Sequence, residues 1–409
     1  MSSETDSTVD TSGRLPFATV FLAFLRLGLT SFGGPVAHLG YFREAFVVKR
    51  RWLNENTYAD LVAMSQFLPG PASSQVGIGI GLAKAGIPGA IAAWLAFTLP
   101  STLAMIAFGY GIVAHAEHIP LSLLHGLKVV AVAVVAQAVW GMARVLCPDP
   151  PRITVAVVAA VGVLTVPSAW GQVAMIASGA VVGYLWLSPP GDTVADALDI
   201  AVAKGLAVSA LATFLILLLA LPLAATLWPA QSLFLIDSFY RSGALVFGGG
   251  HVVLPLLQAE VVNPGWVTQD AFLAGYGAAQ AVPGPLFTFA AYLGTVSGPE
   301  PNGWFGAILC LVAVFTPSFL LVIGVMPFWN HLRRLWPIRK ALIGINAAVV
   351  GLLLAALYDP VWTSGIRSVV DFMLALVAFT LLVFWRAPPW LIVVLTALAS
   401  WGLEHAQLP

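Results

Sequence analysis

Charge is what this sequence has least of. Asp, Glu, Lys and Arg make up 9% of its 409 residues, where a soluble domain carries roughly 25%. Too little polar surface is left to face water, which excludes a water-soluble globular fold. The 18 basic and 18 acidic residues cancel to a formal charge of zero, so nothing points to nucleic acid as a partner. Cysteine is nearly absent. Cys147 and Cys310 lie far apart, too few for a disulfide framework or a zinc cluster. His115 and His118 form an HxxH pair without the third ligand a metal site needs, and no metal or cofactor is expected. The sequence holds no Ser–His–Asp set, no paired catalytic carboxylates and no cofactor fingerprint. An enzyme acting inside a membrane would need a nucleophile or base, so an enzyme is not expected.

What is abundant is apolar. Hydrophobic residues make up 59% of the chain, and mean hydropathy is +0.93. The first 14 residues, MSSETDSTVDTSGR, are polar and lack the basic region and cleavage site of a signal peptide; a disordered tail is expected there. Apolar helical runs follow at 15–32, 35–47, 57–68, 71–84, 87–113, 120–146, 152–167 and 170–187. After the polar SPPGDTVADALD comes a long run near 197–227, then 230–248, 250–262, 269–282, 285–297, 303–328, 340–358, 366–385 and 389–403. These runs are rich in Ala and Leu and show no strand pattern. The expectation is an all-α polytopic membrane protein.

The chain also repeats itself. RLGLTSFGG (26–34) falls on RSGALVFGG (241–249) with five of nine positions identical, at an offset of 215. At an offset of 214, QFLPGPASS (66–74) falls on QAVPGPLFT (280–288) and Trp52 on Trp266. GLKVVAVAVV (126–135) resembles GINAAVVGLL (344–353). Landmarks in one order at nearly one offset predict two related halves, 15–190 and 229–409, joined by a linker and one extra helix at 191–228.

Charge placement predicts that the halves are inverted. Arg43, Lys49, Arg50 and Arg51 follow the first FGG, whereas the matching QAEVVNPGW has no Lys or Arg. The segment 114–119 has none either, and its counterpart carries Arg333, Arg334, Arg339 and Lys340. Lys and Arg mark cytoplasmic loops, and a swapped bias is what inverted repeats produce. If 15–47 and 57–84 fold back at FGGP and PGP as re-entrant hairpins, the N-terminus, the 43–51 cluster, Arg144, Arg152, Arg333–Lys340 and Arg386 are all cytoplasmic. The C-terminus is then external, in a multi-pass protein of the plasma (inner) membrane. Arg367 is the one charge that fits this arrangement poorly.

The candidate site residues follow from the repeat. Arg26 and Arg241 stand in apolar runs, where a charge is costly and faces a cavity or a partner. Asp237 lies one turn before Arg241, whereas Arg26 has no such neighbour. The breaks Phe32-Gly33-Gly34 and Phe247-Gly248-Gly249, and the turns Pro69-Gly70-Pro71 and Pro283-Gly284-Pro285, permit sharp reversals and start helices whose free N–H groups suit an anion. Gln66 and Gln280, Ser74 and Thr288, and Lys128 with its counterpart Asn346 add donors for oxyanion oxygens. Together they predict anion binding between the halves. Glu44, Asp60 and Asp237 are candidate proton sites.

Through RLGLTSFGGPVAHLGYFREAFV, FLPGPASSQV, FTLPS, RSGALVFGGGHVVLP and QAVPGP, the chain resembles the chromate ion transporter family in its long two-domain form. The resemblance implies secondary active export of chromate from the cytoplasm, giving chromate resistance. Sulfate, a tetrahedral dianion of similar shape, is the related cargo, and a passive anion channel is the alternative of another class. The expected partners are chromate or sulfate, the lipid bilayer and, in a homodimer, a second copy of the chain. In the second half Gly250 replaces Pro35 and Asn346 replaces Lys128, so the two halves need not contribute equally.

Overall fold

A computed structural model of the chain describes residues 14–114, 120–188, 200, 202–247 and 250–405. Among them there is no strand. The first half holds α1 (Phe17–Thr30), α2 (Gly34–Arg43), α3 (Glu55–Phe67), α4 (Ala72–Ala114), α5 (Leu121–Leu146), α6 (Pro150–Thr165) and α7 (Ala169–Trp186). The joining helix is α8 (Lys204–Leu227). Then come α9 (Gln231–Leu245), α10 (Val253–Val261), α11 (Gln269–Ala279), α12 (Phe289–Val296), α13 (Gly303–Val325), α14 (Trp329–Leu332), α15 (Trp336–Ala356), α16 (Thr363–Gly365), α17 (Val369–Val383) and α18 (Pro389–His405). Five helical stretches, Ala72–Ala114, Ser122–Leu146, Lys204–Leu227, Gly303–Leu332 and Trp336–Gly365, are long and apolar enough to cross a bilayer. The protein is an all-α polytopic membrane protein.

Local chemistry sets many of the helix starts. Asn54, Asp149, Ser168 and Thr268 each accept an N–H of the first turn of α3, α6, α7 and α11, as N-caps do. Ser368 and Asp371 form a capping box at α17. Some boundaries differ from the sequence pattern, each for a backbone reason. The runs at 71–84 and 87–113 are the two arms of α4, which turn sharply at Ala85–Gly86, where Gly86 takes φ +66°, and Gly81 and Gly89 meet backbone to backbone across the turn. The run at 35–47 ends as a wider π turn, Glu44–Lys49. The run expected from 340 begins at Trp336, because Pro337 occupies the first turn. The helix after the second PGP opens as a 3-10 turn, Leu286–Thr288, before α12.

Among the described residues, the helices flanking the Gly-rich breaks fold back on one another in each half. Phe24 on α1 stacks on Phe46 at 4.6 Å and meets Phe42 edge-on at 5.6 Å, so the chain folds back at Gly33, where φ is +101°. Leu61 on α3 lies against Gly79 on α4, a reversal centred on Gly70. Arg241 on α9 meets Glu260 beyond α10's start, and Gly275 on α11 lies under the Tyr292 ring of α12. The matched glycines of the first motif are contact points: Gly28 presses on the backbone of Ala96 and Phe97 in α4, and Gly243 on that of Val314 in α13. A Cβ at Gly28 would sit 2.7 Å from the Phe97 carbonyl, closer than the contact allows.

The long arm of α4 defines two faces. At its Lys84 end, Leu15 N–H donates to the Lys84 carbonyl at 2.8 Å, and the α1–α2 hairpin returns there. At its Tyr110 end, Trp304 N–H donates to the Tyr110 hydroxyl at 3.0 Å. Following the helices in order, Asp60 and Arg333 meet at the Lys84 face, and Lys128 and Asp270 at the Tyr110 face.

Candidate functional site

The two PGP turns do not stay within their own halves. Gly70, at φ +124°, donates its N–H to the Val246 carbonyl at 2.6 Å, one residue before the second Phe-Gly-Gly. Gly284, at φ +100°, donates to the Ser31 carbonyl at 2.9 Å, one residue before the first. Each turn also sits under a serine of the other half: a Cβ on Gly70 would lie 2.8 Å from Ser318 Oγ, and one on Gly284 would lie 2.8 Å from Ser101 Oγ. The hairpins therefore cross reciprocally, and the broken backbone of each half touches the other half, beside the helix packing of α15 on α6 and α7 and of α17 and α18 on α5.

Polar atoms without partners gather at this crossing. Ser31 Oγ, Ser74 Oγ, Gln75 Oε1, Thr98 Oγ1, Ser318 Oγ and Gln280 Nε2 are buried and have no hydrogen-bond partner among the described residues. A buried polar atom left unpaired costs about 1–3 kcal/mol, so such a group needs an explanation. A polar ligand or its water shell that visits the crossing would supply one. His38 stands beside it, Nδ1 3.3 Å from Ser73 Oγ and Nε2 3.2 Å from the Ser31 carbonyl. Gln75 Nε2 donates to the Pro69 carbonyl at 2.6 Å, and Thr288 Oγ1 to the Pro285 carbonyl at 2.9 Å. Pro71 and Ser74 are buried, and Pro283 is half-buried.

The remaining expected residues scatter. Arg26 is exposed on α1, opposite the face that buries Phe24 and Gly28, and no partner for its guanidinium occurs among the described residues. Arg241 is enclosed instead: its Nη2 lies 2.5 Å from Asp237 Oδ2, its Nη1 2.8 Å from Glu260 Oε1, and Trp170 covers it at 5.2 Å. Its charge is met twice over by carboxylates, and the two arginines stand in different surroundings. Gln66 is exposed and Asn346 half-buried on α15. Phe32 stands 6.0 Å from the Trp390 ring, and Phe247 packs on the large apolar cluster. Gly34 opens α2 at φ +75° with Pro35 in its first turn. Gly248 and Gly249 lie outside the described residues, as does the His115–His118 pair.

Lys128 is buried, and its Nζ donates to Asp270 Oδ1 at 2.9 Å. Both line a cavity of about 680 Å³ at the Tyr110 face, with His125, Arg367, Asp371 and Glu404. Arg367, the charge that fitted the loop pattern poorly, lies 3.9 Å from Asp270 there. The candidate proton sites are also partnered: Glu44 with Lys49, Asp60 with Arg333, and Asp237 with Arg241.

Sequence reasoning missed Ser101, Ser318, Thr98, Gln75 and His38. A signal for the first two was present, since FTLPS (97–101) is echoed by FTPS (315–318). It missed the Glu260 partner of Arg241 and, Lys128 apart, the residues of the cavity at the Tyr110 face, which come from separate helices of both halves.

Comparison with known proteins meets this architecture at both halves. The family model described as "Chromate transporter" matches residues 18–184 and again 233–401. A chromate transport protein of Pseudomonas aeruginosa is 28% identical over 351 residues, covering 84% of this chain and 81% of its own. One of Cupriavidus metallidurans is 26% identical over 373 residues, covering 90% and 88%. The uncharacterized transporter YwrB of Bacillus subtilis is 32% identical over 173 residues, which are 41% of this chain and 84% of that one. No solved structure matches. With the matched segments falling on the two hairpin-bearing halves and covering most of the described helices, this chain belongs to the chromate transporter family.

Proposed function

We propose that the chain is a secondary active transporter that exports chromate from the cytoplasm by alternating access, with the anion held where the hairpins of the two halves cross. The observation that carries this reading is the reciprocal pair Gly70–Val246 and Gly284–Ser31, with buried hydroxyls and the Gln280 amide nitrogen left without partners nearby. The relatives from Pseudomonas aeruginosa and Cupriavidus metallidurans are chromate transport proteins by name. A tetrahedral dianion accepts from many donors at once, and hydroxyl and amide donors can meet it without carrying fixed charge. In this reading residues 15–190 and 229–409 are inverted repeats, residues 191–228 supply the inverting helix, and the Lys84 face is cytoplasmic. Rocking of one half on the other would open the crossing to either side.

Of the two arginines, this reading keeps Arg26 as an anion contact on the path to the crossing, not at the crossing itself. It lies roughly 15 Å along α1, at 1.5 Å per residue, a depth where an exposed charge is costly unless it faces a water-filled path. Arg241 is read as structural, because Asp237 and Glu260 already neutralise it. The test is labelled chromate uptake into inverted membrane vesicles, with sulfate as competitor. Saturable, gradient-dependent uptake is expected. Uptake that needs no gradient would favour a channel, and sulfate outcompeting chromate at equal concentration would make sulfate the cargo.

A further inference from the structure

We infer that His125 is a proton-binding site, oriented by Asp371, that sets the pH dependence of transport; this rests on the transport reading above. Coupling to protons needs a group whose charge can change near neutral pH. Asp60, Asp237 and Asp270 are each already held in an ion pair with an arginine or lysine. Among the described histidines, His38 and His251 are enclosed and meet only hydroxyl or carbonyl oxygens. His331 is exposed.

His125 differs on every count. Its Nε2 lies 2.9 Å from Asp371 Oδ1, and the ring is one-fifth exposed toward the 680 Å³ cavity. The other carboxylate oxygen, Oδ2, accepts the Arg367 and Ser368 N–H groups at 3.0 and 2.9 Å. The start of α17 thus fixes Asp371 whether or not the imidazole is charged, and the carboxylate then fixes the ring. His125 stands on α5 of the first half and Asp371 on α17 of the second, so a proton gained there strengthens a contact between halves.

The charges facing the ring come from every helix around it. Lys128 shares α5, Asp270 is on α11, Arg367 and Asp371 are at α17, and Glu404 is on α18. With His125 neutral, three carboxylates face two cations, and one proton restores balance. The repeat equivalents of Lys128 and Asp270 are Asn346 and Asn56, so this ionic cluster belongs to one face only. A device that reads protons on one side of a membrane requires that asymmetry.

The test uses the full chain reconstituted in liposomes, with chromate flux measured from pH 5.5 to 8.5. Wild-type flux is expected to change at least fivefold across pH 6–8, and His125→Gln, which keeps a donor for Asp371, to be flat within twofold. Asp371→Asn, which removes the carboxylate that orients the ring, should change the flux profile from that of the wild type. In parallel, carbon-13 labelled histidine in the purified chain reports the His125 titration directly by NMR, assigned by its loss in His125→Gln. A His125 signal that does not titrate between pH 5 and 9, or a His125→Gln profile that keeps the wild-type slope, overturns the inference. A wild-type chain that moves no chromate sinks the transport reading, and the NMR titration then decides the proton site alone.

Discussion

The N–H of Gly70 donates to the carbonyl of Val246 at 2.6 Å, tying the first half's PGP turn to the second half's Phe-Gly-Gly break. Gly70 holds φ +124°, a conformation that L side chains strain to adopt, at about 1–3 kcal/mol. Its missing Cβ would also meet Gln75 Nε2 at 2.5 Å. Gly70→Ala is therefore expected to lower the melting temperature by several degrees in detergent and cut chromate flux at least tenfold. Gly284→Ala should do the same, because Gly284 is held by Ser31 and Ser101 in the matching way. Near-normal flux in both variants would remove the crossing from the mechanism.

Ser318 offers a sharper separation of binding from folding. Its hydroxyl is buried beside Gly70 and has no partner among the described residues. Removing an unpaired buried hydroxyl relieves a penalty of about 1–3 kcal/mol. Ser318→Ala should leave stability unchanged or raised, while KM for chromate rises severalfold. A fall in stability with unchanged KM would mark the serine as structural.

Arg26 and Arg241 should part company under mutation. Arg26 is exposed, so Arg26→Lys should leave the melting temperature alone and reduce flux severalfold, because the ammonium loses the planar fork that meets paired oxygens. Arg241→Ala leaves Asp237 and Glu260 buried without their cation, a loss of about 3–5 kcal/mol, and is expected to reduce the folded yield. Combining it with Asp237→Asn and Glu260→Gln should recover much of that yield. Flux that recovers along with yield would confirm Arg241 as structural.

The helices and their breaks were legible in the sequence because apolar runs, Gly and Pro act locally. The recurrence of Arg26 and Arg241 before Phe-Gly-Gly was equally plain, yet it suggested a shared role that their surroundings divide. What separates them is Asp237, whose place before Arg26 is taken by Leu22, and Glu260, which reaches Arg241 across a hairpin from α10. The first half has no acid at the matching place: residue 45 is Ala and residue 46 Phe. The crossing was hidden for a related reason. A turn that hydrogen-bonds within its own hairpin and one that bonds to the other half have the same sequence, and only the fold distinguishes them.

Orientation can be read by single-cysteine labelling. Cys147 and Cys310 are buried, and burial pushes the Cys147 thiol up to about 11, so both should be slow toward a maleimide near neutral pH. Arg50→Cys, exposed at the Lys84 face, should react with an impermeant maleimide only in inverted vesicles. Asn263→Cys, exposed beyond α10, should react only from outside the cell. The opposite pattern would place the N-terminus outside and reverse the proposed direction of export.

The two ion pairs at opposite faces make the last prediction. Arg333 and Asp60 meet at 2.7 Å across the halves, as Lys128 and Asp270 do at 2.9 Å. In the proposed alternating access the halves part at one face while they stay joined at the other, so each pair is expected to open in turn. Weakening one should bias the molecule toward opening at that face, by as much as the pair favours the closed arrangement. Asp60→Asn is therefore expected to speed maleimide labelling of a cysteine placed at Asn56 and to slow labelling of one placed at Thr268. Asp270→Asn should produce the reverse. Rates that change in the same sense at both faces would mean general loosening, and the pairs would then be part of the scaffold and not of the cycle.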